Sequence, residues 1–323
     1  MVKCKLCSSS DIESLYENIR DDRYGCPEVV SILDCKKCGY RFTYPFLTDK
    51  QLPTLYENYY PRASENADQI KYQNPKLSLR LRINHFINGT SNQGQFIAKA
   101  GDKFLDVGAG SCGSALQAKL SNCDVWTIEA DPTSKVFAEE FGLTHHTGML
   151  FDAPSSFADF DIISFNQVLE HVTNPEQEIT NAKLRLKDSG LIFISVPNSK
   201  SLVARLSGSS WINWHVPFHV SHFNKKVMKS MLRKHDLKIQ KIYTKTPNLW
   251  LKIQVLRYLC LDKIYIWDRQ KNSESEPNTI LEKIKRKTLL ASLSILTPVI
   301  ARILDFFGQG ESICIIAVKN ETV

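Results

Sequence analysis

The sequence predicts an α/β fold on a doubly wound, mostly parallel sheet, with a small cysteine-paired module ahead of it and a helical insert before the last strand. Three observations carry this expectation. From about residue 96, short apolar runs alternate with helix-periodic segments at the spacing of strand–helix–strand units. One of these runs, residues 104–107, breaks directly into a G-x-G-x-x-G turn at Gly108, Gly110 and Gly113, and helical periodicity resumes through Ala115, Leu116, Ala118 and Leu120. Ahead of all this, Cys4, Cys7, Cys35 and Cys38 form two Cys-x-x-Cys pairs.

Composition bounds the remaining classes. With 323 residues, 43% hydrophobic and 23% charged, the chain can bury a sizeable core. A net charge of +7 permits an acidic partner or a membrane surface without requiring one. The first residues lack a signal-peptide core, and no run reaches the roughly 18 apolar residues of a spanning helix. Nine cysteines, four of them in metal-type pairs, suit a reducing compartment, so the expected location is cytoplasmic, with a membrane-peripheral variant discussed below.

Taken in order, residues 1–50 form a zinc-ribbon-like module. Its four thiolates are expected to close a tetrahedral zinc site, against the alternative of four unrelated reduced thiols, and such a closed site leaves no position for substrate, so the expected metal is structural. Strands are expected at 29–33 and 40–44, and Cys26 is unassigned. Residues 51–95 form a helical linker or lid, with an aromatic stripe that includes Tyr56, Tyr59 and Tyr60. Residues 96–245 form the nucleotide-binding core, with strands at 104–107, 124–128, 161–165 and 191–196 and helices at 114–120, 133–141 and 175–186. Loops after Glu129, around 146–149 and at 166–171 are expected to converge with the glycine turn beyond the strands' carboxyl ends. Residues 246–309 are a helical insert with an amphipathic helix at 249–259, a polar loop at 272–278, basic residues at 283–287 and an apolar helix at 289–307. That last helix is expected to be too short, and too interrupted by Pro298 and Arg302, to span a bilayer. Residues 310–323 supply the final strand and tail.

Which nucleotide the turn holds depends on its neighbours. Glu129 ends a strand 21 residues after Gly108 and suits a ribose diol. Asp106, inside the strand before the turn, suits a cationic amino group. The run 104–113 resembles motif I of class I S-adenosylmethionine (SAM)-dependent methyltransferases. Residues 160–175, containing Leu169, Glu170 and His171, resemble a segment of the ubiquinone-methyltransferase-like branch, as do 186–198, the histidine segment 215–223 and the final stretch 310–319. The resemblance implies a seven-stranded Rossmann-like methyltransferase sheet. It also implies cofactor contacts by Asp106, Gly108, Ala109, Gly110, Glu129, Met149, Leu150, Asn166 and Gln167. Cys112 departs from the commoner small residue or glycine, and Asp152 is either an adenine partner or a loop carboxylate. The zinc-ribbon front with a tyrosine-rich linker occurs in this branch beside methyltransferases of surface polysaccharides and deoxysugars.

His215, His219 and His222 cluster after the strand at 191–196. His219 and His222 are the candidate catalytic residues, as base or substrate-orienting groups, against the alternative that they only satisfy a loop. The expected function is SAM-dependent methyl transfer to a small-molecule, sugar or lipid-linked glycan acceptor, on oxygen or carbon. The competing readings are an RNA methyltransferase that grips substrate with the ribbon, and a non-catalytic adaptor that keeps the fold. For the insert, a basic run beside an apolar helix suits peripheral membrane contact through 283–307, and a helical cap packed on the sheet or a dimer interface is the favoured alternative.

Overall fold

The computed structural model describes residues 2–48, 50–60, 66–259 and 280–320, so the polar loop expected at 272–278 lies outside the described residues. Chain order is β1 (Ile12–Arg20), β2 (Val29–Cys35), β3 (Arg41–Tyr44), α1 (Gln51–Tyr59), α2 (Ala67–Gln73), α3 (Leu79–Asn88), β4 (Lys103–Val107), α4 (Gly113–Leu120), β5 (Asp124–Glu129), α5 (Ser134–Glu140), β6 (Thr144–Thr147) and β7 (Phe160–Asn166). It continues with α6 (Pro175–Arg185), β8 (Leu186–Pro197), α7 (Leu202–Ser207), β9 (Ser221–His222), α8 (Lys225–Lys234), β10 (Leu237–Lys245), α9 (Asn248–Tyr258), α10 (Ile280–Phe306) and β11 (Ser312–Lys319).

The main sheet has seven strands in the order β10-β11-β8-β7-β4-β5-β6. Strands β4 to β8 pair in parallel, and at one edge β11 runs antiparallel to both β8 and the outermost strand β10. Central strands carry near-continuous apolar runs because helices cover both faces: Leu105, Ile163, Phe165, Ile192, Ile194, Ile313 and Ile315 are all fully buried. The chain leaves β4 toward β5 on one side and returns to β7 on the other, so the switch point, where ligands bind in such sheets, lies between β4 and β7. Edge strand β6 is short and polar, which hid it in the sequence: His146 and Thr147 are strand residues, and the expected loop begins only at Gly148.

The amino-terminal strands form a second sheet in the order β1-β2-β3-β9. Its last strand comes from the far side of the chain, with Arg41 opposite His222 and Phe42 opposite Ser221. Leu33, Cys35, Tyr40 and Phe42 share one hydrophobic core with Leu105, Val107 and Phe165 of the main sheet. The sequence does not signal β1, because irregularities between Ser14 and Tyr16 and between Tyr16 and Ile19 break its period-2 pattern.

The insert contradicts one expectation. α10 runs unbroken through Pro298 for 27 residues, and its segment Lys287–Phe306 is long and apolar enough to cross a membrane by length and composition. Pro298 costs one backbone hydrogen bond without ending the helix. Arg302 does not interrupt the apolar face, because its guanidinium turns inward to the carbonyls of Ile87 and Thr246.

Candidate active site

The glycine turn sits at the switch point. Gly108 has φ +72°, and a Cβ there would lie 2.5 Å from Val168 Cγ2, so both the backbone and the space require glycine. Glu129, at the end of β5, accepts from the Gly110 amide at 2.9 Å and the Asp131 amide at 3.0 Å. Asp106 is buried beside them, and burial first, then repulsion from Glu129, push its carboxyl up to about 7. Among the described residues no lysine or arginine pairs with either carboxylate. Such a crevice disfavours a phosphate and favours a cationic ligand.

The other sequence-predicted residues border the same crevice or its supports. Ala109 donates its amide to Ile128 O at 3.1 Å, which anchors the turn to β5. Asn166 ends β7 with a buried Oδ1 that has no partner. Gln167 holds a left-handed φ of 57°, and its side-chain amide donates to Ser195 Oγ at 2.8 Å and Ser312 Oγ at 3.2 Å. Leu150 is fully buried and Met149 packs against the main core. Asp152 accepts from the Met149 amide at 2.9 Å and lies 2.9 Å from His146 Nε2, which closes the turn after β6. Cys112 is buried at the start of α4 with Sγ 3.5 Å from Ser134 Oγ, and burial pushes its thiol up to about 11.

A second cluster lies where the loop before β9 meets the linker. His219 Nδ1 donates to Asn213 O at 2.9 Å, leaving Nε2 as the acceptor for His215 Nδ1 at 3.3 Å. His215 Nε2 is buried with no partner. His171 stacks edge-on to His219 at 4.5 Å, and its Nδ1 lies 2.6 Å from the Tyr56 hydroxyl and 3.2 Å from Phe218 O. Both carboxyl oxygens of Glu170 are buried without partners, and burial raises this acid to about 8. Burial keeps the imidazoles neutral: His171 falls to about 4, and His215 and His219 fall well below the ordinary range. Ligand atoms of Glu170, His171 and His219 lie within 4.8 Å of one another, a donor set that also suits a divalent cation.

The two predicted catalytic histidines have different hydrogen-bond partners. His222 belongs to β9, with Nε2 3.0 Å from Thr43 Oγ1 and its ring on Trp214 at 4.9 Å, and burial lowers it to about 3. His215, in contrast, joins His219. Tyr24 and Tyr60 wall this cluster: Tyr24 packs edge-on to Tyr60 at 5.0 Å and to His215 at 5.4 Å. The neighbouring Arg23 donates to Ile212 O. The aromatic stripe in the linker signalled Tyr56 and Tyr60. Nothing local to the sequence places Arg23 and Tyr24, which arrive on the β1–β2 connection.

The cysteine pairs converge. Cys4 Sγ lies 3.6 Å from Cys38 Sγ and Cys7 Sγ 3.5 Å from Cys35 Sγ, and all four sulfurs fall within 4.8 Å of one another. Zinc–thiolate bonds of about 2.3 Å in a tetrahedron set sulfur–sulfur edges of about 3.8 Å. The donor set therefore fits that metal.

The family model described as "Methyltransferase domain" matches residues 79–242, just over half of the chain. The chain belongs to this methyltransferase-domain family. The matched span runs from α3 to β10 and contains the glycine turn and the imidazole cluster. The ubiquinone biosynthesis O-methyltransferase of Glaesserella parasuis is 28% identical over 41% of this chain and 61% of its own length. That of Cereibacter sphaeroides is 29% identical over 36% of this chain and 51% of its own length. The chain thus spans between about half and three-fifths of the length of these curated relatives. A solved SAM-dependent methyltransferase from Archaeoglobus fulgidus superposes with a TM-score of 0.43 at 17% identity, over 84% of this chain and 100% of the other. At that score the superposition adds nothing to the family match.

Proposed function

We propose that the protein transfers a methyl group from SAM to an oxygen or carbon of a small-molecule or glycan-type acceptor. The observation that carries this reading is the acidic crevice of Asp106 and Glu129 around the glycine turn, without a lysine or arginine partner among the described residues, in a chain of this family. Asp106 would face the ammonium group and Glu129 the ribose hydroxyls, with Gly108, Ala109 and Gly110 against the methionyl part. Met149 and Leu150 would flank the adenine, and Asn166 and Gln167 the methyl side. When bound, the sulfonium supplies a methyl group that is already electrophilic. The chain then has to align the acceptor with it and remove a proton where the acceptor carries one.

The free lone pair at His215 Nε2 suits the proton-accepting role, with His219 fixing the tautomer through Asn213 O. We therefore assign His215 and His219 together to the acceptor side and treat His222 as the residue that holds the ribbon to this loop. The relatives named for ubiquinone O-methylation favour a small-molecule oxygen acceptor. A structural zinc at Cys4, Cys7, Cys35 and Cys38 completes the proposal, as does peripheral contact of 283–307 with a membrane surface.

Calorimetric titration of the full chain with SAM, followed by a labelled-methyl screen over phenols and quinols, nucleotide sugars, lipid-linked glycans and RNA, tests it. SAM binding with label transferred to a small molecule is expected. No SAM binding would return the chain to an adaptor role, and transfer confined to RNA would replace the acceptor class. Metal analysis should find one zinc per chain, lost in Cys35→Ser.

A further inference from the structure

The apolar face of α10 does not stand alone. Half of the large apolar side chains exposed among the described residues lie on α3 or on α10 and its last turn. On α10, Ile295, Val299, Ile303 and Phe306 project outward along one stripe, while Leu293, Thr297, Ala301 and Leu304 face the protein. On α3, Leu79, Ile83 and Phe86 are exposed in the same periodic way. The two helices are locked together. Arg302 donates to the carbonyls of Phe86 and Ile87 at the end of α3, and Asn248 donates to Ile87 O at 3.1 Å. Gly89, in the left-handed region, allows this approach, since a Cβ there would lie 2.0 Å from Thr246 O.

The charge around this plate has one sign. α3 contains no acidic residue and exposes Arg80, and α10 begins its apolar stretch at an exposed Lys287. Lys245 Nζ sits over the Phe86 ring at 3.8 Å. The one acid of α10 after Lys287, Asp305, is paired with Arg302 at 2.9 Å. Cationic rims on two copies would repel each other, whereas anionic headgroups neutralise them. The outward stripe from Ile295 to Phe306 rises only about 17 Å at 1.5 Å per residue, and the opposite face stays packed. This geometry lies in an interface instead of crossing it.

We infer that α3 and α10 together form a rigid, in-plane docking plate for an anionic bilayer surface. This deepens the peripheral-contact part of the proposed function and is independent of methyl transfer. Both helices would immerse their outward side chains at the headgroup–acyl boundary, with Arg80 and Lys287 at the lipid phosphates. The plate would keep the protein beside acceptors that partition into the membrane.

Co-sedimentation of the full chain with vesicles of phosphatidylcholine and phosphatidylglycerol, against vesicles of phosphatidylcholine alone, tests the inference at low and high salt. Expected are binding to the anionic vesicles, weakening with salt, and about a tenfold or greater loss of affinity in both Phe86→Glu and Ile303→Glu. Both side chains are exposed, and circular dichroism with SAM titration on the same samples separates a folding or cofactor defect from a lost plate. Absence of wild-type binding at low salt overturns the inference, as does unchanged binding in both variants. A wild-type dimer in solution that the same substitutions dissociate, without vesicle binding, assigns the plate to a second copy and also overturns it.

Discussion

The glycine crevice and the imidazole cluster differ in how they are built. The crevice is polar, anionic and short-range: Asp106, Gly108, Gly110 and Glu129 come from one strand–turn–helix–strand unit. The imidazole cluster is buried and aromatic, and draws on the ribbon (Arg23, Tyr24), the linker (Tyr56, Tyr60), the loop after β7 (Glu170, His171) and the loop before β9 (His215, His219). A site that must recognise one fixed cofactor can reside in a local motif. A site that must exclude water and shape itself to an acceptor needs walls from several elements, and its residues bear little relation to their spacing in the chain.

This division makes the two sites separable by mutation. The largest expected effect is on the cluster: His215→Ala should lower turnover by about 10²- to 10⁴-fold, the range for a positioned base, while SAM affinity measured by calorimetry stays unchanged. A parallel loss of SAM affinity would show that the two sites are one. Next comes the crevice, where Glu129→Ala removes charge-assisted bonds of about 1.5–3 kcal/mol and should weaken SAM about 10- to 100-fold.

A pH series sharpens the same contrast. The Asp106 carboxyl is held up at about 7, so in the free protein it is protonated below that pH and must release a proton to pair with a cation. SAM affinity should therefore rise by about tenfold between pH 6 and pH 8, with proton release on binding near pH 7 seen by calorimetry in buffers of different ionisation heat. In Asp106→Asn that slope should vanish, and its persistence would assign the titration elsewhere. The smallest expected effect is at the wall. Tyr24→Leu should raise the acceptor KM several-fold and leave SAM binding untouched, because the ring faces Tyr60, His215 and Phe218 and not the glycine turn.

Legibility in the sequence follows the same line. The alternation of apolar runs and helices after residue 96 expresses local periodicity, and the observed seven-stranded sheet follows it closely. The turn at Gly108 was legible because a glycine between a strand and a helix is a backbone requirement written at one position. The edge strand β6 was not, since its four residues are all polar or imidazole-bearing. Strand β9 was not either, because two residues become a strand only by pairing with β3. The histidine segment was visible as a cluster, but whether His215 or His222 would join His219 depended on Thr43 and Trp214, which capture His222 from outside the segment. The unbroken apolar face of α10 depends on where Arg302 points, which periodicity does not encode.

The pairing of β3 with β9 has a consequence for how this architecture is inherited. Ribbon and histidine loop share a strand ladder, a buried hydroxyl–imidazole contact and one hydrophobic core. They must fold, exchange amide hydrogens and tolerate substitution as a single unit. A chimaera carrying a foreign ribbon would misregister β9 and disturb the loop three residues from His219. The amino-terminal module is thus an internal partner of the histidine loop, and recombination would have to move the two together.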